Sequence, residues 1–228
     1  LLGGARQDGC QVVSGPFSPG ISHDDPLGYA YDSWIEPRAY EPRLAVALAK
    51  IAFQELAAAQ QKKGIELTAI PQLTLGHPPH EIARLACSEI RRQLGLVGIP
   101  IVLRELPPGA SSRAGGDLDL VYAELAVWEP VVDSRRLLGE DGISGGASSY
   151  MSLALRQLEH ATDWAQVGDK LRQIHRLAHQ EISVVPLWQL TDHFAYHNSL
   201  KGVGSGPVSL YQNVENWQPA FHFPAEVK

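Results

Sequence analysis

The chain has 228 residues, a formal net charge of −6 at pH 7, 44% hydrophobic residues and 19% charged residues. This composition is typical of a globular protein, and the length is sufficient to bury a substantial core. No apolar run approaches the roughly 18 residues that a membrane-spanning helix requires. The basic residues are scattered and form no patch suited to a nucleic-acid backbone. We therefore expect neither a membrane span in this chain nor a nucleic-acid partner.

The distribution of proline, glycine and aromatic residues divides the chain into three segments. Residues 1–42 are rich in all three, which predicts an ordered aromatic-rich loop segment packed on the rest of the protein. Residues 43–200 are predicted to form an α/β ligand-binding lobe, and residues 201–228 a loop-like tail close to a hinge. The chain starts without Met and shows no basic-then-apolar leader. We expect any targeting segment to lie outside these residues.

Hydrophobic periodicity predicts a helix from Pro42 to Lys63, a strand over 65–75, a helix starting at residues 77–79 and a strand over 99–106. Both strands are apolar and β-branched, which predicts buried parallel strands joined by a helical crossover. The residues predicted to form the buried stripes of these two helices are Leu44, Leu48, Ile51, Ala52 and Leu56 in the first, and Ile82, Leu85, Ala86, Glu89 or Ile90, and Leu94 in the second.

The second half of the chain is predicted to contain more helices than strands. A third strand is expected over 117–125, followed by irregular chain over 126–146. Helices are expected over 148–159 and 164–181, the latter opened by a capping box of Asp163 and Gln166. Its predicted buried stripe is Val167, Leu171, Ile174, Ala178 and Ile182. Short strands over 183–190 and 192–197 complete an α/β fold with a mixed sheet flanked by helices.

A candidate ligand-binding site follows the predicted strand 117–125. Trp128, Glu129 and Asp133 come after its carboxyl end, where open α/β sheets present ligand-binding groups. An indole beside carboxylates suits an ammonium group, because the acids pair with it and the indole adds a cation–π contact. We predict a site of Trp128, Glu129, Asp133 and Tyr122. In the alternative, Trp128 packs against the sheet and both acids are solvated.

Three other motifs carry possible chemistry. Ser144 lies in the sequence GISGG, which has the letters of a nucleophile elbow but no preceding strand, so a glycine-rich loop is favoured and a serine hydrolase is the alternative. His175 with His179, and His77 with His80, have the spacing of paired metal ligands but lack a third, which favours packed or solvated side chains. We predict no catalytic residue, no metal and no cofactor.

The two cysteines form no recognisable framework. Cys10 and Cys87 match no zinc spacing, and a single disulfide between them is left open if the compartment is oxidising.

The order of several short motifs resembles the peptide-binding subfamily of extracytoplasmic solute-binding proteins of ABC transporters. These motifs are SGPF at 14–17, GYAYD at 28–32, YEPRLA at 40–45, EIRRQL at 89–94, GI at 98–99, VPLW at 185–188 and LKGV at 200–203. The resemblance covers nearly the whole chain and matches the second of the two lobes that such proteins close around a ligand.

This resemblance implies a lobe of the type II periplasmic-binding-protein fold, located in the periplasm or another extracytoplasmic compartment. It also implies a peptide or similar extended solute as ligand, and an ABC permease and an N-terminal lobe as partners. Family members commonly hold the peptide amino terminus with an acid near the strand that matches 117–125. The implied protein is not an enzyme. A sensor or regulatory module that reuses the same lobe is a further alternative, which an upstream helix-turn-helix would favour.

Overall fold

The structure is a computed structural model that describes residues 6–7, 10–20, 25, 27–108, 117–191, 195–204, 211 and 213–219. The helices are α1 (Pro42–Gln61), α2 (Glu81–Leu96), α3 (Pro130–Leu138), α4 (Ser149–Glu159) and α5 (Trp164–Glu181). The strands are β1 (Arg6–Gln7), β2 (Cys10–Gln11), β3 (Leu73–His77), β4 (Ile101–Glu105), β5 (Leu120–Val121), β6 (Gln189–Leu190), β7 (Leu200–Lys201) and β8 (Gln218–Pro219). The predicted α/β class is confirmed.

A parallel three-stranded sheet is built around β3. Both β4 and β5 pair with β3 in parallel, with Leu73 opposite Ile101 and Leu75 opposite Leu120. Helix α2 connects β3 to β4, so the predicted helical crossover is confirmed. It buries Ala83, Ala86 and Cys87 against the sheet. The prediction that both strands are buried is wrong for β4, because β4 is an outer strand in the described sheet and buries only Ile101.

Two strands of the parallel sheet, β3 and β5, differ clearly from their predicted ranges. The strand expected over 65–75 begins only at Leu73, because Pro71 has no amide hydrogen to donate to a sheet ladder. The strand expected over 117–125 is reduced to the two residues of β5. Just before β5, the Thr74 amide donates to the Asp119 carboxylate at 2.7 Å. A side chain therefore accepts this hydrogen bond in place of a backbone carbonyl.

The antiparallel pairings form two separate small sheets, in the orders β1-β2-β6 and β7-β8. Of the strand predicted over 183–190, only Gln189–Leu190 is extended and paired. Residues 195–197, within the strand predicted over 192–197, form no strand, and residues 192–194 lie outside the described residues.

Helices α3, α4 and α5 surround the larger core. The buried residues of this core are Phe17, Ala30, Leu137, Leu138, Met151, Ala154, Leu155, Leu158, Leu171, Ile174 and Ala178. Helix α3 corrects the expectation of irregular chain over 126–146. Its start signal is a helix-capping acid, Glu129, followed by Pro130 at the first helical position, where the missing amide hydrogen costs nothing.

Helix α5 has the predicted bounds, and its cap is the predicted Asp163, whose carboxylate accepts from the Gln166 amide at 2.8 Å. Leu171, Ile174 and Ala178 of its predicted stripe are buried. Ile182 is the exception, since it is 52% exposed and ends the helix in the left-handed conformation with φ 55°. The predicted stripe is therefore one residue too long.

Helix α1 contradicts its predicted stripe. Leu44, Leu48 and Ile51 are each at least half exposed, and the buried residue of the helix is Ala49. On α2, Ile82 and Leu85 are also about half exposed. The apolar periodicity located both helices, but in the described residues these apolar faces have no covering neighbour.

Candidate functional site

The carboxyl end of β5 leads into an open cavity of about 160 Å³. One wall is the chain that runs from Glu124 to Trp128, and the other is α3, with Asp133, Arg136 and Leu137. The cavity thus combines two carboxylates, a guanidinium group and an indole with an apolar floor. It lies between the sheet and the helical core, at the edge where parallel strands present ligand-binding groups.

Asp133 holds the turn at the start of α3. Its Oδ2 accepts from the amides of Trp128 at 2.8 Å and Glu129 at 3.0 Å. Its Oδ1 lies 3.9 Å from Nη1 of Arg136, and its side chain is only 15% exposed. The Asp133 carboxylate is therefore already occupied by backbone donors and by a neighbouring cation.

Glu129 caps the same helix. Its Oε1 accepts from the Val131 amide at 3.3 Å and from the Tyr29 hydroxyl at 2.6 Å. Burial, helped by this carboxylate, raises the pKa of Tyr29. Glu129 is adjacent to the cavity but is not among its lining residues. It ties the N-terminal aromatic segment to α3.

Trp128 and Tyr122 occupy different environments. The Trp128 indole is 67% exposed and lines the cavity, so it does not pack against the sheet as in the alternative interpretation. Tyr122 is buried in the sheet core at 7% exposure. Its hydroxyl donates to Oε1 of Glu124 at 3.2 Å, and burial raises the pKa of Tyr122. Of the four predicted residues, Trp128 and Asp133 line the cavity, and Glu129 and Tyr122 are each hydrogen-bonded to a lining residue.

Glu124, like Arg136, is a charged residue of the cavity lining that the predicted site did not include. Its Oε2 lies 3.4 Å from Nε2 of His80, and both side chains are about two-fifths exposed. His80 caps α2, because its Nδ1 accepts from the Ala83 amide at 3.3 Å. Glu124 follows the last residue of β5, Val121, by three positions, whereas the sequence-based prediction placed it inside the strand over 117–125.

A second acid at this edge, Glu105 at the end of β4, is fully paired. Arg84 donates to both of its carboxylate oxygens, at 2.7 and 3.0 Å. This bidentate pair, together with the charge of His77, lowers the pKa of Glu105, although partial desolvation works against it. The Glu105 carboxylate is outside the cavity lining.

A buried serine and histidine form a different constellation between the N-terminal segment and α5. Ser14 Oγ is 3.0 Å from Nε2 of His175 and donates to the Tyr31 hydroxyl at 2.9 Å. His179 Nδ1 donates to the Ser14 carbonyl at 2.8 Å. His175 and Ser14 are essentially fully buried. Neither is accessible to a substrate, so this constellation fastens residues 14–31 to α5.

His175 remains neutral in this environment. Its Nδ1 is buried without a hydrogen-bond partner. Burial lowers the pKa of His175 to about 4, against an opposing effect of Asp32 and with smaller contributions from His179 and Arg176. The direction of this shift follows from burial, which disfavours the charged imidazolium, and a proton on Nδ1 would also have no acceptor.

The described geometry gives no support to catalysis at Ser144. Its hydroxyl reaches only the Gly146 carbonyl, at 3.5 Å, in a turn that follows α3 rather than a strand. Among the described residues no group of three or more His, Cys, Asp or Glu side chains is arranged to hold a metal ion. Cys10 and Cys87 are both free thiols, and burial raises the pKa of Cys87 to about 11.

Comparison with known proteins finds similarity at the level of structure. No protein-family model matches the sequence, and no curated protein matches it. The oligopeptide-binding protein AppA from Bacillus subtilis, solved with a nonapeptide, aligns with a TM-score of 0.64 and 18% identity over 91% of this chain and 43% of its own. NikZ from Campylobacter jejuni, solved with Ni(L-His), aligns with a TM-score of 0.62 and 14% identity over 92% of this chain and 44% of its own.

A third neighbour is the ABC transporter-associated periplasmic binding protein DppA from Helicobacter pylori, solved with the peptide STSA. It aligns with a TM-score of 0.60 and 17% identity over 86% of this chain and 36% of its own. The chain therefore spans less than half the length of each neighbour. The chain shares the fold of part of these binding proteins, and the resemblance predicted from the motifs is confirmed at the level of the fold. None of the helices in the described residues is long and apolar enough to span a membrane.

Proposed function

We propose that this chain is a ligand-binding lobe of an ABC-transporter solute-binding protein that captures peptides or similar extended solutes for import. The observation that carries the proposal is the cavity at the carboxyl end of the parallel sheet, on a fold shared with binding proteins for an oligopeptide, a peptide and a nickel complex. The proposed partners are a second lobe and an ABC permease, and the proposed compartment is extracytoplasmic. The proposed role includes no catalytic step.

The proposed mechanism is capture without chemistry. Trp128 offers an exposed indole face to the solute. Asp133 and Glu129 hold the shape of the wall, and Tyr122 supports it from the sheet core. Closure of a second lobe over the cavity would exclude water and strengthen the polar contacts. The division of the chain at residues 42 and 200 into a packed segment, a lobe and a hinge-proximal tail belongs to this proposal.

Titration of the protein with tetra-alanine, followed by chemical shifts of its backbone amides, tests the proposal. We expect the shifts to concentrate over residues 122–136, at the cavity. Trp128→Ala should weaken binding about twofold to thirtyfold, the range for a lost cation–π and stacking contact. The double substitution Glu129→Ala and Asp133→Ala should also weaken it, because the wall loses its supports.

Trp34→Ala is the matched control for the indole, because Trp34 is 90% exposed and lies outside the cavity lining. It should leave the affinity unchanged. Shifts spread over the whole surface, or an equal loss in both tryptophan variants, would contradict the proposal.

A further inference from the structure

A groove with a volume of about 290 Å³ lies between α4 and α5. It is larger than the cavity at the end of the sheet, and the two have no lining residue in common. The lining residues recur at helical spacing, so one face of each helix forms one wall. These residues are Tyr150, Leu153, Ala154 and Gln157 on α4, and Gln173, Arg176, Leu177 and Gln180 on α5. The α4–α5 groove is therefore a separate candidate site.

The α4–α5 groove combines an apolar floor with amide side chains and one charged group. Ala154 is buried and Leu177 is partly buried against the helical core. Arg176 is charged, and no acid is among the lining residues in the described part of the chain. The acid at the end of α5, Glu181, lies outside the lining and accepts from the Ser148 hydroxyl at 2.6 Å. The groove is thus suited to an anionic ligand rather than a cationic one.

A buried acid holds the Arg176 guanidinium in position. Nε of Arg176 donates to the carboxylate of Asp32, which is fully buried. The Arg176 side chain is nevertheless 55% exposed, and within the described residues its Nη1 and Nη2 donate to no other group. A guanidinium group binds a carboxylate through two parallel hydrogen bonds, and a fixed one loses little conformational freedom on binding. Arg176 is therefore preorganised to bind a carboxylate.

A second cation lies beside the α4–α5 groove. Nζ of Lys170 donates to Oε1 of Gln157 at 2.9 Å. Because Asp32 balances the charge of Arg176, Lys170 supplies the surplus positive charge at the groove. Gln173 and Gln180 lie three residues before and four residues after Arg176, so they flank it on the same face of α5. Cations flanked by neutral amides favour an anionic head group, and the floor favours a hydrocarbon body.

We propose that the α4–α5 groove is a second ligand-binding site, which takes a small organic carboxylate with an apolar body. The carboxylate pairs with Nη1 and Nη2 of Arg176, and the apolar body lies on Leu153, Ala154 and Leu177. The volume of the groove is close to the lower end of the roughly 300–1,000 Å³ found for small-molecule sites. This inference does not depend on the proposed function, because the groove and the cavity share no lining residue.

Three six-carbon compounds with different head groups test this inference: hexanoate, hexylamine and hexan-1-ol. Binding is followed by the chemical shifts of the backbone amides. We expect hexanoate to shift the amides of residues 150–157 and 173–180, and the other two compounds to leave them unchanged at the same concentration. Equal binding of hexan-1-ol would overturn the inference, because the groove would then not recognise the head group. Hexanoate shifts confined to residues 122–136 would also overturn it.

Two substitutions in α5 test the role of the charge. Arg176→Lys keeps a cation beside Asp32 but removes the paired Nη donors, so it should weaken hexanoate binding about tenfold. Gln180→Glu places an acid one helical turn from Arg176, where it repels the carboxylate of the ligand and competes for the guanidinium group. It should weaken binding severalfold. Because Gln180 is exposed, this variant tests the inference even if Arg176→Lys is unstable.

Gln54→Glu is the matched control, because Gln54 is an exposed glutamine of α1 outside the groove lining. It makes the same change in net charge and should leave the affinity for hexanoate unchanged. Equal weakening by Gln180→Glu and Gln54→Glu would contradict the inference, since only the net charge of the protein would then matter. An affinity that is unchanged in both α5 variants would remove Arg176 from the site and overturn the inference.

Discussion

The helical and sheet regions of this protein use their apolar residues differently. The helical unit, which comprises α3, α4, α5 and residues 14–17 and 28–32, encloses a core with side chains such as Leu171 and Ile174 fully buried. The sheet unit, which comprises β3, β4, β5 and α2, has a smaller core. Val102 on β4 and Leu85 on α2 remain about half exposed, as do Leu44, Leu48 and Ile51 of α1.

The same sequence signal therefore has two structural outcomes. In α5, apolar residues at helical spacing are covered by α3 and α4. In α1, residues with the same spacing face outward. Periodicity therefore identifies the face that is suited to burial, but a packing neighbour decides whether that face contributes to stability. The cavity lies where the two units meet, because Glu124 follows the sheet and Asp133 belongs to α3.

The largest expected effect comes from removing a core leucine of the helical unit. Leu171→Ala should lower the free energy of unfolding by about 2–5 kcal/mol, because the side chain is fully buried and leaves a cavity. Leu48→Ala in α1 should change it by no more than about 0.5 kcal/mol, since Leu48 is 55% exposed. Urea denaturation measures both. Similar losses in the two variants would remove the contrast between the regions.

Acid should destabilise the helical unit through His175. Its pKa falls from an ordinary 6.5 to about 4 on folding, so the unfolded chain binds more protons between these values. The contribution of neutral His175 to the free energy of unfolding is fully present above pH 6.5. It is lost as the pH falls toward 4, by roughly 3 kcal/mol in total. Denaturation midpoints measured between pH 4.5 and 7 should show this slope.

The slope should disappear in His175→Gln, whatever the overall stability of that variant. His160→Gln is the control, because His160 is an exposed histidine at the end of α4 and its removal should leave the slope intact. A slope that persists in His175→Gln would assign the acid sensitivity to other groups.

The two regions each contain an acid–arginine pair, and the two pairs should contribute differently to the free energy of unfolding. Asp32 is fully buried and accepts from Arg176 and the Trp34 amide. Burial alone would raise the pKa of Asp32, but these hydrogen bonds outweigh it and lower the pKa. Asp32→Asn should lower the free energy of unfolding by about 1–3 kcal/mol, because the NH2 group replaces one of the two accepting oxygens and faces the donor of either Arg176 or Trp34.

Glu105→Gln makes the same chemical change in the sheet unit. The pair of Glu105 with Arg84 is exposed to water, and exposed pairs contribute little to stability. Thermal denaturation should show a clear shift for Asp32→Asn and no resolvable shift for Glu105→Gln. Equal shifts would mean that burial does not distinguish these pairs.

The smallest expected effect is a gain in stability at the end of α5. Ile182 adopts φ 55° with a β-branched side chain, which costs about 1–2 kcal/mol in the left-handed region. Ile182→Gly removes that strain but adds freedom to the unfolded chain, for a net gain of about 0.5–1 kcal/mol. Ile182→Ala keeps a Cβ at positive φ and should show no comparable gain in the melting temperature.

Local signals predicted much of the helical unit. The bounds of α5 and its Asp163 cap follow from a capping residue and a regular apolar stripe. Helix α3 was missed although Glu129 and Pro130 are a start signal, because nine residues are too few to show clear periodicity. Of the residues predicted for the site, Trp128 and Asp133 line the cavity, and their role in binding stays a prediction. The sequence did not single out Glu124 or Arg136, which also line the cavity, because the cavity forms only where the chain after β5 lies beside α3.

Local periodicity and caps were sufficient to predict the α/β class and the crossover between β3 and β4, and the order of short motifs was sufficient for the resemblance to solute-binding proteins. The covered apolar faces and the paired carboxylates were visible only in the folded protein. The physical reason is that burial and charge pairing depend on neighbours distant along the chain. Tyr29 beside Glu129 and Arg84 beside Glu105 are contacts that no local pattern specifies.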